Sequence, residues 1–157
     1  MFPRFRRLAS HLNLGRALLL LLLALSSAGC GRFTRTRQCR KLIAQVNPAL
    51  DEVLTLTDGG VGGAGHTGGA RYVLAAARYE RLAKDLGPME FSSEQMAKSV
   101  AEYASVLTSS AQALRSLGAA LDSNNPSEAD RANHELERLT IRERSAVSRM
   151  DAWCQPE

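Results

Sequence analysis

From residue 96 onward, apolar side chains recur at Met96, Val100, Tyr103, Leu107, Leu114, Leu117 and Leu121, in steps of four and three, with Ser110 filling the single gap. A 3.5-residue repeat keeps one stripe on one side of a helix, so the spacing predicts a long helix with a heptad seam. Its start is signalled by Ser92 as cap, Gln95 to return the bond, and Phe91 to staple onto Met96. A second seam follows at Ala132, Leu136, Leu139, Glu143, Ala146, Met150 and Trp153. It begins at Asn125-Pro126-Ser127-Glu128, which reads as cap, first-turn proline and third-position acid. Upstream, residues 35–57 carry Cys39, Leu42, Val46, Ala49, Val53 and Leu56 at the same spacing. Pro48 inside this run removes a backbone donor and predicts a kink or a restart, with Asn47 as a new cap. Residues 70–86 place Tyr72, Ala76, Tyr79, Ala83 and Leu86 on one face, and Gly87-Pro88 stops them.

Strand-like alternation is nearly absent, so the fold class is all-α. Four amphipathic helices with two short connections predict an up-down-up-down four-helix bundle. The third and fourth helices, about 45 Å each at 1.5 Å per residue, are the longest, and the second is near half that. The long pair either projects beyond the second helix or has its flank covered by the glycine-rich stretch 58–69.

The front of the chain has a different character. Residues 1–16 hold four arginines and no acid, and Ala17 to Leu25 is an uncharged apolar run. A basic stretch, a short apolar core and a small-residue exit together read as a secretory signal over residues 1–29. The run is short for a membrane-spanning helix, which needs about 20 apolar residues. Removing this segment changes the charge picture. Its four arginines carry the whole excess, since 16 basic side chains then face 16 acidic ones. A basic route to nucleic acid therefore loses its footing, and no nucleic-acid partner is expected. One asymmetry survives: Arg32 to Lys41 has five basic residues and no acid. These read as a solvated tether feeding the first helix, although such residues attract anionic headgroups when held at a membrane.

Two cuts are open. Ser26-Ser27-Ala28 has the small-x-small form of an ordinary signal site and would release a chain starting at Gly29. Ser27-Ala28-Gly29-Cys30 resembles the lipobox of bacterial lipoproteins. That resemblance covers only the first 30 residues. It implies cleavage before Cys30, a diacylglyceryl group on its thiol and an acyl group on the new amine. Several acyl chains make a durable anchor, whereas one is marginal. Gly31 stands where lipoproteins retained at the inner membrane of many Gram-negative bacteria carry aspartate. The resemblance therefore implies outer-membrane sorting in such a host, facing the periplasm.

Cysteine parity favours the second cut. The chain has three cysteines, Cys30, Cys39 and Cys154. If Cys30 carries lipid, the other two are free to pair in an oxidising compartment. The topology agrees, because an up-down bundle brings the start of its first helix beside the end of its fourth. The expected organisation is a signal peptide over 1–29, a lipid-proximal tether over 30–34, and a helical domain over 35–157. The tether, the disulfide, Trp153 and the 87–91 turn then share one end, and the 58–69 and 122–126 connections share the other.

Candidate chemistry is sparse. Gly60 to Gly65 matches G-x-G-x-x-G, but a dinucleotide fold sets those glycines between a strand and a helix of a parallel sheet, and no further strands follow. The stretch reads as a flexible loop, with His66 a loop residue without a partner visible in the sequence. Asp130, His134 and Glu137 share a face of the fourth helix and have the chemistry to hold zinc. The run Arg131-Glu135-Arg138-Arg142 beside them reads instead as a ladder of ion pairs. Glu143 stands on the apolar seam, and a hairpin register puts Tyr103 near it. It is expected to reach water or bond to tyrosine, and its functional reading is a proton-handling residue. No serine, cysteine or threonine has a recognisable elbow, base and orienter. The expectation is a non-enzymatic protein with no cofactor, no metal site and no catalytic residue. It would be a lipid-anchored structural or partner-binding helical module of the envelope, with a membrane partner through Cys30 and a protein partner of unknown identity. The alternative is a periplasmic carrier of a small ligand or metal.

Overall fold

Four helices follow one another: α1 spans Leu8–Thr57, α2 Ala70–Leu86, α3 Glu94–Asp122 and α4 Pro126–Cys154. The computed structural model describes residues 8–57 and 68–155, with side chains from residue 33 onward. The chain divides into two units, residues 1–37 and 38–157. The first contains the leading part of α1. The second is the bundle, to which α1 contributes from Gln38 onward. Among the described residues, no helix is long and apolar enough to cross a membrane.

The spine of the bundle is α3, which packs along both α2 and α4. Its predicted seam is buried from Met96 to Leu117. A second buried row runs at Ser99, Val106, Ala113 and Ala120, seven residues apart. The second row exists because α3 has neighbours on two sides. Around it the core falls into clusters. The largest joins Leu42 of α1, Leu82 and Leu86 of α2, Tyr103 and Leu107 of α3, and Ala146 and Met150 of α4. Another gathers Val53, Ala75, Ala76, Ala111 and Leu114. Each fully buried side chain of the size of Leu107 or Met96 contributes about 1.5–3 kcal/mol.

Three details of the sequence reading are corrected. First, Pro48 neither ends nor restarts the helix, because α1 runs through it unbroken and Asn47 caps nothing. Proline costs the Ala44 carbonyl its partner, but Ala44 and Pro48 are both exposed, so water can take that place. Packing of Val46, Ala49 and Val53 on either side holds the helix together. Second, the cap of α3 is Ser93, whose Oγ accepts from the Met96 amide at 3.3 Å. Ser92 is drawn off to α1, its Oγ donating to Gln38 Oε1 at 3.0 Å. With Ser93 as cap the third helical position is Met96, so Gln95 is out of place for a capping box. Third, Leu121 at the end of the seam is not buried but 39% exposed. It lies a turn beyond Gly118, where the start of α2 meets α3.

Other boundaries fall as the sequence predicts. Asn125 caps α4 by accepting from the Glu128 amide at 3.2 Å, with Pro126 in the first turn. Asn124 before it takes a left-handed backbone, φ 49°, which asparagine tolerates. α2 ends at Leu86, and Gly87 keeps right-handed geometry, so the stop is due to Pro88.

Candidate functional site

Cys39 and Cys154 form a disulfide with 5.8 Å between their Cα atoms. It joins α1 to the last turn of α4, as the sequence predicts. Around it Gln38 reaches the turn between α2 and α3: its Nε2 donates to the Glu90 carbonyl at 3.2 Å, and its Oε1 accepts from the Ser92 amide at 3.3 Å. Phe91 meets Trp153 edge to face, 6.4 Å between centroids. Gln38 and Cys39 of α1, the 87–91 turn and the end of α4 are therefore gathered at one pole of the bundle. At the other pole the Gly69 amide donates to Asp122 Oδ1 at 2.8 Å.

The most unusual chemistry lies inside the bundle, where Tyr79 of α2, Tyr103 of α3 and Glu143 of α4 converge. The α4 seam puts Glu143 between Leu139 and Ala146, both buried, so its carboxyl is pulled partly out of water. Burial raises its pKa, while the Tyr103 hydroxyl and the Arg144 cation act the other way. Tyr103 is wholly buried, and its hydroxyl lacks a hydrogen bond of ordinary geometry. It influences Glu143 as a nearby dipole rather than a well-formed donor. Burial, followed by the Glu143 charge, pushes Tyr79 up to about 12 and drives Tyr103 well above the ordinary phenol value. Both phenols thus stay neutral across the physiological range. Glu143 is the member whose proton the surroundings favour keeping, so the arrangement can hold a single proton more tightly than an exposed carboxyl does.

Charged pairs elsewhere tie neighbouring helices. Arg78 of α2 pairs with Glu52 of α1 at 2.9 Å. Arg115 of α3 holds Glu80 of α2 with two nitrogens, and Arg149 of α4 holds Glu102 of α3. The fork of Arg115 keeps the Glu80 carboxyl below its usual range. These pairs flank the seams, where α-helical spacing puts long charged side chains.

The remaining candidates do not assemble. His134 Nδ1 lies 2.8 Å from the Asp130 backbone carbonyl, not its carboxylate. Among the described residues no three His, Cys, Asp or Glu side chains are grouped to hold a metal, so Asp130, His134 and Glu137 form no such set. Of the predicted ladder, Arg138 pairs with Glu135, while Arg131 pairs with Glu128 outside it. A shallow groove of about 530 Å³ runs between α3 and α4, lined by Ser109, Gln112, Ser116, Arg131, His134 and Arg138 among others. The Cys30 side chain, His66 and the Gly60–Gly65 motif lie outside the described residues. So does most of the 58–69 stretch expected to cover the α2 flank.

Two features escaped the sequence reading. Tyr79 was visible only as a seam residue, because its approach to Glu143 depends on three helices at once. The close approach of Gly69 to Gly118 had one faint signal, a glycine inside an otherwise strong helix pattern. Comparison with known proteins adds no relative: no family model matches the chain, and no curated protein or solved structure matches it significantly.

Proposed function

We propose that this chain is a lipid-anchored protein of the bacterial cell envelope that acts as a non-enzymatic structural or partner-binding helical module. The observation that carries the reading is the Cys39–Cys154 disulfide. It fits an oxidising compartment and leaves Cys30 as the odd thiol, directly after Ser27-Ala28-Gly29. The N-terminal arginines and the apolar run ahead of that cysteine support export. Acyl chains on Cys30 would hold the protein at a membrane, in the outer membrane facing the periplasm if the host is Gram-negative. The disulfide pole, with Cys39 nine residues along the chain from Cys30, would then be the membrane-proximal one.

The partner-binding half of the reading is supported by apolar residues left in water. Ile43 and Leu54 of α1 are 50% and 55% exposed and lie eleven residues apart, hence on the same helix face. Two measurements test the proposal. Mass spectrometry of the mature protein should find a chain starting at a triacylated Cys30. An unmodified Gly29 start, or an uncut chain, removes the anchor. Photo-crosslinkers at positions 43 and 54 should capture one envelope protein reproducibly in living cells. A metal or chromophore retained by the purified protein would favour the carrier reading instead.

A further inference from the structure

We propose that Glu143, set against the buried phenols of Tyr79 and Tyr103, is an acid-strengthened clasp: the hold of α4 on α2 and α3 tightens as the medium is acidified. Placement is the first ground. Glu143 occupies a seam position between Leu139 and Ala146, which are 2% and 0% exposed. The groups facing it come from every neighbouring helix. α2 supplies Tyr79, α3 supplies Tyr103, and α4 supplies Arg144 next in sequence. From α1, Leu42, Val46 and Ala49 pack on the core cluster that contains Tyr103 and Tyr79.

Lack of neutralisation is the second ground. Among the described residues six glutamates form ion pairs, namely Glu52, Glu80, Glu94, Glu102, Glu128 and Glu135, and Glu143 does not. A partly desolvated carboxylate without a cation in contact favours its neutral form. Proton uptake on lowering the pH therefore relieves the cost of holding a carboxylate at a seam position.

The direction follows from linkage. The folded state holds the Glu143 proton more tightly than the unfolded chain does. Stability is then greatest below the unfolded value and declines as the pH rises through the folded one. The Glu80–Arg115 pair has the opposite sign, because its carboxyl is held below the usual range, so the two effects separate along the pH axis.

The test uses the full-length oxidised chain in detergent micelles, melted across a pH series that starts at the ordinary glutamate value of 4.5. Wild type should lose melting temperature as the pH rises from there. Glu143→Gln should flatten that slope and melt above wild type at pH 8. Tyr103→Phe removes a group that favours the ionised carboxylate, so its slope should steepen. Carboxyl carbon NMR provides a readout that does not depend on a variant folding. Glu143 should titrate above the ordinary glutamate value of 4.5. Parallel melting profiles for wild type and Glu143→Gln, or Glu143 titrating at or below the ordinary glutamate value of 4.5, would overturn the proposal.

Discussion

Gly69 and Gly118 bring the start of α2 against α3 so closely that a Cβ on Gly69 would stand 2.1 Å from the Gly118 carbonyl oxygen. The obstacle is backbone, which cannot rotate away as a side chain can. The reverse contact is also tight, since a Cβ on Gly118 would meet the Gly69 oxygen at 2.7 Å. In an isolated helix, Gly→Ala stabilises by about 1 kcal/mol. Here the sign should invert. Gly118→Ala is expected to destabilise the bundle by about 1–3 kcal/mol through overpacking. Urea denaturation decides the matter, and a stabilised variant would show that the two backbones do not touch.

The Cys39–Cys154 bond closes 115 residues of chain. In the chain-entropy view a loop of that length gives up to about 4–5 kcal/mol, reduced by any strain. Cys39→Ser with Cys154→Ser should therefore lower the melting temperature substantially while leaving the helical circular dichroism signal in place at low temperature. Equal melting of the oxidised and reduced forms would show that the bond does not form in solution.

Caps provide a finer test. Ser93→Ala removes the side chain that accepts from the Met96 amide and should cost about 1 kcal/mol. Ser92→Ala loses only an exposed contact to Gln38 and should cost less. Asn125→Ala at the head of α4 should resemble Ser93→Ala. Denaturant midpoints measured on the three variants establish the order, and a larger loss at Ser92 would shift the start of α3 by one residue.

Glu80 sets an acid limb. Its hydrogen bond to Arg115 lowers its pKa in the folded state below the ordinary 4.5. That contribution is complete above the unfolded value and disappears as the pH falls through the folded one. Glu80→Gln should therefore make stability less sensitive to pH below about 4.5 and leave the slope between pH 5 and pH 8 unchanged. Added salt should shrink the difference between the two proteins, because both side chains are well exposed.

Much of this architecture is legible from spacing. The seams of α3 and α4, the Asn125 cap, the Pro88 stop and the Cys39–Cys154 pairing all follow from local pattern or from topology. What was not legible depends on partners distant in sequence. Ser92 and Ser93 are equivalent as text, and only Gln38, more than fifty residues away, draws the first aside. Pro48 reads as a breaker, yet an exposed carbonyl four residues earlier makes its defect tolerable. The second buried row of α3 consists of small residues whose burial requires knowing that two helices flank it. Glu143 was recognisable as an anomaly on an apolar stripe, and Tyr103 as its neighbour. The participation of Tyr79 required the placement of α2.

The bond between Cys39 and Cys154 also defines a path for mechanical force. A pull applied between Gln38 and Gln155 would cross from one chain end to the other through the sulfurs, one residue from either point of attachment. The intervening helices would carry almost none of that tension. While the bond is intact, tugging on both ends should leave the bundle folded. Once it is reduced, the same load would run through α1 to α4 in series and peel them apart.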